Sequence, residues 1–335
     1  MSGQVAVILV TYGEPEENSL GVHYDYSKRI LKRITRKVAP IPDRVVPLIA
    51  AWRAVTRYLS WRRHGYRSAL NEITIRQGKS LQLSLKEKCP SVEWHVHVAR
   101  QFIALSLPEM LHIVLGAGAD RVIVVPMYVP HSDFTSGLCD EDLETFREKC
   151  GGVPDCVKRI DPILYIDKLA DVMVEYVTGS MTRRGWDLTG TTGRGLLLGA
   201  HGTVVSPAPG IRDSGFADMN ALGKLLLARL HPHFDCSSIG WLNHRRGGEW
   251  TSPSLETAVR EMREKGIKDF IYFPFGFFAD NEETLLFARR LFSRFRISNV
   301  CYLPCLNDNP AFIELLAAAI LSENTVKAAR GYCPL

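Results

Sequence analysis

No stretch of the chain approaches the ~18 consecutive apolar residues of a membrane span, so it is not read as an integral membrane protein. It has no C-x-x-C pair. Its eight cysteines lie scattered at 89, 139, 150, 156, 236, 301, 305 and 333, a pattern that suits reduced thiols better than a disulfide frame or a zinc site. A Walker loop, a G-x-S-x-G elbow and an H-E-x-x-H pair are all missing, which removes the usual support for phosphate transfer, serine hydrolysis and zinc proteolysis. A dinucleotide fingerprint is missing too: Gly116-x-Gly118 precedes a strand-like run instead of following one, the place where glycines end a helix. The opening residues lack a basic n-region, and an apolar stretch of about seven runs straight into Tyr12-Gly13-Glu14-Pro15. That reads as a first strand and not a signal peptide, so a cytoplasmic protein is expected.

What the chain does have is ordinary bulk and an unusual charge distribution. Its 335 residues, 46% hydrophobic and 23% charged, suit two compact α/β domains or one large α/β unit. The net charge is +5, yet Lys28 to Arg67 holds twelve Lys or Arg against the single acid Asp43. This stretch therefore carries +11 and the remainder −6 (5 − 11). Within it Val45, Leu48, Ile49, Trp52, Val55 and Leu59 recur at helical spacing, which predicts a basic helix with an apolar stripe. Such a helix faces the core with its basic side solvated, or rests on a membrane surface or an anionic apolar ligand. No nucleic-acid-binding motif accompanies the charge.

Strand-like runs at 4–10, 92–99, 121–128, 195–200, 236–242, 269–277 and 298–304 alternate with helical patterns near 71–88, 107–116, 139–149, 164–181, 217–230, 254–265, 282–295 and 310–321. Continuous apolar runs such as Val122-Ile123-Val124-Val125 and Leu196-Leu197-Leu198 mark parallel strands covered on both faces. The expected fold is α/β, with two doubly wound Rossmann-like halves whose parallel sheets are flanked by helices. Residues 1–185, with a lip at 28–67, form one half and residues 186–335 the other, divided near the polar Thr189–Arg194 stretch.

Ligands of such sheets sit beyond the carboxyl ends of the strands. Four of those ends are chemically rich: Thr11 to Pro15, Pro126 to Ser132, Gly199-Ala200-His201-Gly202, and Phe277 to Leu285. His201 leaves a very apolar strand and Glu283 opens a helix after another, so the fold brings both to one crevice. The plainer readings are a structural histidine, and a helix-capping role for Asp280 and Glu283.

At these ends the chain resembles the ferrochelatases. Gly199-Ala200-His201-Gly202 resembles their Ser-Ala-His-Ser/Gly segment, and Asp280-Asn281-Glu282-Glu283-Thr284-Leu285 their Asp-His-x-Glu-Thr-Leu. Tyr12-Gly13-x-Pro15 is similar to the N-terminal Gly-Thr-Pro turn. Gly65-x-x-Ser68-x-Leu70 with Thr74 and Gln77 is similar to the loop that follows the lip. Pro126-x-Tyr128 with Ser132, Thr135 and Gly137, and Leu306-Asn307-Asp308 with Pro310 and Phe312, complete six matches in register over about 300 residues.

The resemblance implies a chelatase-like fold and insertion of Fe²⁺ into a porphyrin, with release of two protons, in haem synthesis. It implies His201 as base or metal-facing residue and Glu283 as its carboxylate partner. Tyr12, Ser68, Tyr128, Ser132, Trp250 and Asn281 would line the porphyrin pocket. A neutral imidazole beside the macrocycle takes a pyrrole proton or holds the metal briefly, and a transit site must not cage the ion. Tyr12 is similar to the branch using coproporphyrin III, while the Arg33–Pro47 region, with Ile41-Pro42, resembles the branch using protoporphyrin IX, which is favoured. Fe²⁺ is a substrate and no resident cofactor is expected. Only Cys333 lies in the tail, with Cys301 and Cys305 on a strand and its turn, so no iron–sulfur cluster is expected. The basic lip would meet propionates and an anionic membrane surface. Asn281 replaces a family histidine, Phe287 and Leu291 stand where acids usually continue past Glu283, and Tyr66 replaces a loop glycine. A chelatase for another metal such as Co²⁺, or a porphyrin or haem carrier without turnover, are the alternatives.

Overall fold

The computed structural model describes residues 3–38, 41–150, 156–185, 193–205, 211–243, 249–297 and 299–328. Among the described residues the strands are β1 (Gln4–Thr11), β2 (Glu93–Arg100), β3 (Arg121–Pro126), β4 (Val157–Arg159), β5 (Arg194–His201), β6 (Cys236–Leu242), β7 (Asp269–Phe273) and β8 (Val300–Tyr302). They form two four-stranded sheets, ordered β2-β1-β3-β4 and β6-β5-β7-β8. Every strand pair is parallel. The order repeats, so each half has its reversal of direction beside its first strand, β1 or β5.

Helices α1 (Leu20–Ile30), α2 (Arg36–Val38) and α3 (Val46–His64) build the lip. Next come α4 (Leu70–Lys88), α5 (Leu107–Gly116) and α6 (Ser136–Cys150), which flank the first sheet, and α7 (Ile166–Arg183), which follows it. The second half adds α8 (Phe216–Leu230), α9 (Leu255–Glu264), α10 (Ala288–Arg294) and α11 (Pro310–Ala328).

Strand alternation explains how these layers join. Val5, Val7 and Leu9 face one way and pack with Leu81 and Leu85 of α4, while Ala6, Ile8 and Val10 face the other, against Leu107, Met110 and Leu111 of α5. In β5, Leu196 and Leu198 point to Leu222 and Leu226 of α8, and Leu197 points to Leu255 and Val259 of α9. The inner faces of both sheets belong to one apolar cluster, which also takes in α7 and α11. Burial of each such Leu, Ile or Val is worth about 1.5–3 kcal/mol, which binds the two sheets into a common core.

Several elements differ from the sequence expectation. β7 ends at Phe273 because Pro274 cannot donate to the ladder, and β3 ends at Pro126. α1, whose charged and glycine-containing sequence hides its period, was not expected; its N-cap Ser19 accepts the Val22 N–H. β4 was missed because two of its three residues are the cations Lys158 and Arg159. The helix expected near 282–295 begins as a π-turn, Glu283–Phe287, before continuing as α10. The expected division near Thr189–Arg194 falls largely outside the described residues.

The packing of α3 decides between the orientations left open for its apolar stripe. Its buried face is Val46, Ala50, Ala54 and Trp61, whereas Leu48, Trp52, Val55 and Leu59 are 72%, 56%, 46% and 55% exposed. The apolar stripe therefore points outward, and small alanines let the helix approach α1. Arg57, counted among the solvated cations, instead points inward to Glu282.

Close approach also fixes Gly199. A methyl group there would collide with the ring and hydroxyl of Tyr272 on the neighbouring strand, whereas one on Gly21 of α1 meets nothing within 4 Å. Gly199→Ala should therefore lower stability by about 1–3 kcal/mol through overpacking. Gly21→Ala should raise it by roughly 0.5–1 kcal/mol through helix propensity. Urea denaturation of the two variants gives both values, and equal effects would contradict this account of the β5–β7 contact.

Candidate active site

His201 is the last residue of β5, and its Nδ1 lies 2.8 and 3.0 Å from the two carboxylate oxygens of Glu283. The His201 side chain is 46% exposed and that of Glu283 20%, so the pair lies at the floor of an open crevice and not in the core. Partial burial disfavours the imidazolium of His201. The Glu283 charge and hydrogen bond outweigh it and hold the His201 pKa above its ordinary value of 6.5.

The backbone around Glu283 is tightly held. Asn281 Oδ1 accepts the amides of Glu283 at 2.9 Å and Thr284 at 3.3 Å, and its Nδ2 donates to Ala279 O. The Asn281 side chain is thus spent on the opening of the π-turn. Asp280 accepts the Cys305 amide and the Asn307 side chain, at 2.9 and 2.8 Å, as a staple between two strand-end loops. Gln77 of α4 joins that staple by donating to Phe278 O and Asn307 O.

Tyr12 follows β1. Its hydroxyl donates to Phe134 O at 2.7 Å, and its ring rests 4.7 Å from Tyr128 and 5.4 Å from Phe102. Gly13 makes this turn possible with φ of +71°, since a Cβ there would come within 2.9 Å of Arg100 Cβ. Burial, and then the charge of Glu283, push the Tyr12 pKa far up, so the phenol stays neutral. The Tyr128 hydroxyl is buried and makes no hydrogen bond among the described residues. Ser132 pairs with Thr135 Oγ1 at 2.8 Å and accepts the Phe134 amide, which shapes the loop beneath Tyr12.

The strand ends thus bring His201 onto Glu283, whose charge reaches Tyr12, with Tyr128 and the Ser132 loop packed beside Tyr12. Ser68 is linked to this group only through Glu14, to which its hydroxyl donates at 2.6 Å. Trp250 lies on an isolated antiparallel bridge to Val204, past the end of β5.

Sequence reasoning missed the layer behind Glu283. Glu14 accepts the Glu282 amide at 2.9 Å and the Tyr66 hydroxyl at 3.1 Å, and Glu282 accepts Trp61 Nε1 at 2.6 Å and Arg57 Nε at 3.0 Å. The signal was Tyr66 in place of a glycine, because its hydroxyl serves the acid in the β1 turn.

A cavity of about 280 Å³ opens beside Glu283, lined by Trp241, Asn243, Glu256, Phe287, Arg290 and Leu291 among others. Phe287 and Leu291 give that wall an apolar part, beside Arg290, where the helix continues past Glu283. Among the described residues no group of three or more His, Cys, Asp or Glu is placed to hold a metal ion. The pair of His201 and Glu283 offers two donors, short of a closed coordination sphere. Cys301 and Cys305 are buried, and Cys333 lies outside the described residues.

Ferrochelatases of Synechococcus elongatus and Neisseria meningitidis serogroup C are each 24% identical to the chain. The alignments cover 98% and 94% of this chain and 84% and 92% of those proteins. Among solved structures, SirB from Bacillus subtilis with Fe³⁺ matches with a TM-score of 0.57 at 11% identity, over 99% of this chain and 100% of that one. CbiX, the terminal enzyme for biosynthesis of sirohaem in denitrifying bacteria, matches with a TM-score of 0.51 at 15% identity, over 95% and 98%. These two likenesses show a chelatase-like α/β fold. The family model for ferrochelatase matches residues 4–324, nearly the whole chain, and the protein belongs to the ferrochelatase family.

Proposed function

We propose that the protein inserts Fe²⁺ into a porphyrin, protoporphyrin IX in preference to coproporphyrin III, as a lyase of haem synthesis. Its family supports a porphyrin metal chelatase; the metal and the macrocycle are the finer reading. The observation that carries it is the His201–Glu283 pair, an imidazole at one strand end braced by a carboxylate from another.

Insertion needs two N–H protons to leave the macrocycle as the metal enters. With Nδ1 held by Glu283, His201 exchanges protons or meets the ion through Nε2, and the carboxylate stabilises the imidazolium that forms. Glu283 then passes the proton on or contributes an oxygen to the ion. Neutral Tyr12, on Tyr128 and Phe102, supplies an aromatic wall for the ring face. Basic side chains exposed on the lip, Arg44, Arg62, Arg63 and Arg67, are the natural partners of porphyrin propionates. Fe²⁺ is substrate in this scheme, and no resident cofactor or iron–sulfur cluster takes part.

The outward stripe of α3 extends the proposal to place. No helix of the described residues is long and apolar enough to cross a membrane. Leu48, Trp52, Val55 and Leu59 beside those arginines form an apolar and cationic face that complements an anionic lipid surface. The enzyme then works in the cytoplasm as a peripheral membrane protein, with its lip at the source of an apolar substrate.

Three experiments test this reading. Anaerobic incubation with Fe²⁺ and either porphyrin, followed by loss of porphyrin fluorescence, should show turnover that is greatest with protoporphyrin IX and lost in His201→Ala. Porphyrin binding without metallation would identify a carrier, and preference for Co²⁺ a different chelatase. Because insertion needs neutral His201, the wild-type rate should rise with pH through the elevated His201 pKa. Glu283→Gln removes the charge that elevates it, so the acid limb should move to lower pH while the maximal rate falls. For the lip, replacing Leu48 and Leu59 with Ser should weaken binding to phosphatidylglycerol vesicles by about tenfold, measured by co-sedimentation. An unchanged affinity would remove the membrane from the proposal.

A further inference from the structure

The buried charges between the lip and the Glu283 turn take no part in the proton chemistry above. Glu14 and Glu282 are each only 7% exposed, although they come from positions 268 residues apart in the chain. Their partners account for every carboxylate oxygen. Glu14 Oε1 accepts the Glu282 amide, and its Oε2 accepts Ser68 and Tyr66. Glu282 Oε1 accepts Trp61, and its Oε2 accepts Arg57. Tyr26 lies under the Arg57 guanidinium at 4.9 Å, and His23 meets Trp61 edge-on at 4.8 Å. Burial, and then Arg57, lower the His23 pKa to about 4, so Arg57 is the cation of this cluster at neutral pH. Burial lifts Glu14 to about 7 against the bonds from the Glu282 amide and Ser68.

Two acids sharing one buried guanidinium are a poor route to stability, because desolvation of each charge offsets much of the attraction. Such a cluster earns its place by geometry. Residue 282 is fastened twice from the first half of the chain: its main chain by Glu14, its side chain by Trp61 and Arg57 of α3. The next residue is Glu283, which reaches the other way to His201 of the second half. The peptide unit between them is planar, so the anchored position of residue 282 sets where Glu283 starts.

We infer that Glu14 is a positioning residue for metal insertion. By holding the Glu282 amide it sets the Glu283 carboxylate against His201, while the Glu282 side chain, held by Trp61 and Arg57, ties that setting to the lip helix. The inference rests on the reading of His201 and Glu283 as the inserting pair.

Glu14→Ala should lower kcat for Fe²⁺ insertion about tenfold with the porphyrin KM changed less than about twofold, the signature of lost alignment and not lost binding. In the same variant the His201 pKa, followed by NMR titration, should fall toward 6.5 because Glu283 no longer rests on Nδ1. Glu14→Gln, whose Oε1 still accepts the Glu282 N–H, should keep most of the rate and the elevated His201 pKa. Trp61→Phe keeps an aromatic ring, removes the Nε1–H, and reads the same two quantities if Glu14→Ala does not fold. Wild-type kcat and His201 pKa in the folded variants would overturn the inference. A wild-type protein inactive with every metal and porphyrin, whose His201 pKa still falls in Glu14→Ala, would sink the chelatase reading while upholding the placement of Glu283 by Glu14.

Discussion

Everything in this molecule that bears on chemistry depends on the parallel pairing of β1 with its neighbours and of β5 with its own. Parallel strands align their carboxyl ends along one edge, and each sheet is first entered at the strand beside which the winding direction reverses. The turn after β1 and the last residue of β5 are therefore equivalent places in the two halves. Tyr12 stands at one and His201 at the other. The shared apolar cluster behind β1, β5, α7 and α11 holds the two edges in a fixed relation, so a crevice can be built from residues far apart in the chain. Polar groups are excluded from that cluster, and the chemistry is pushed to the strand ends, where main-chain amides and solvent can satisfy it.

The same layout explains why most motif residues do not touch the crevice. Asp280, Asn281, Asn307 and Gln77 spend their hydrogen bonds on loop backbone. Loops at strand ends carry orphan amides and carbonyls that would be costly if buried unpaired, and side chains of this kind are the cheapest way to pair them. A fingerprint of this sort records the scaffold as much as the reaction. His201 and Glu283 stand apart because each bonds the other across two strand ends.

Much of this was legible in the chain. Doubly covered strands read as uninterrupted Val, Ile and Leu, and seven of the eight appeared at nearly their observed positions. The meeting of His201 with Glu283 followed from topology, which aligns the strand ends. What escaped depended on partners distant in sequence. β4 is too short and too charged to carry a period, and the stripe on α3 was visible as a stripe but not as an outward one. Periodicity reports that one helix face is apolar; only the packing of Ala50 and Ala54 against α1 shows which face is inside. Glu14 was hidden for the same reason. An acid in a strand-end turn looks like a solvated loop residue until Tyr66, Ser68 and Glu282 are brought to it.

Departures from a family pattern take on a physical meaning when they are read in groups. Tyr66 in place of a glycine would be an unexplained bulky residue by itself. Set beside Glu14 it becomes a hydroxyl donor to a buried carboxylate, and Ser68 supplies a second donor from the same loop. Asn281 in place of a histidine gives up an ionisable group and supplies a side-chain oxygen, which caps the turn that presents Glu283. Phe287 and Leu291 remove charge from the cavity wall beyond that carboxylate. In the proposed reaction, these changes leave the ionisable chemistry to His201 and Glu283, with the anchoring of Glu282 behind them. A site with fewer titrating groups has less tolerance for a misplaced one, so the anchoring of Glu282 by the first half of the chain is the counterpart of the shortened acid line.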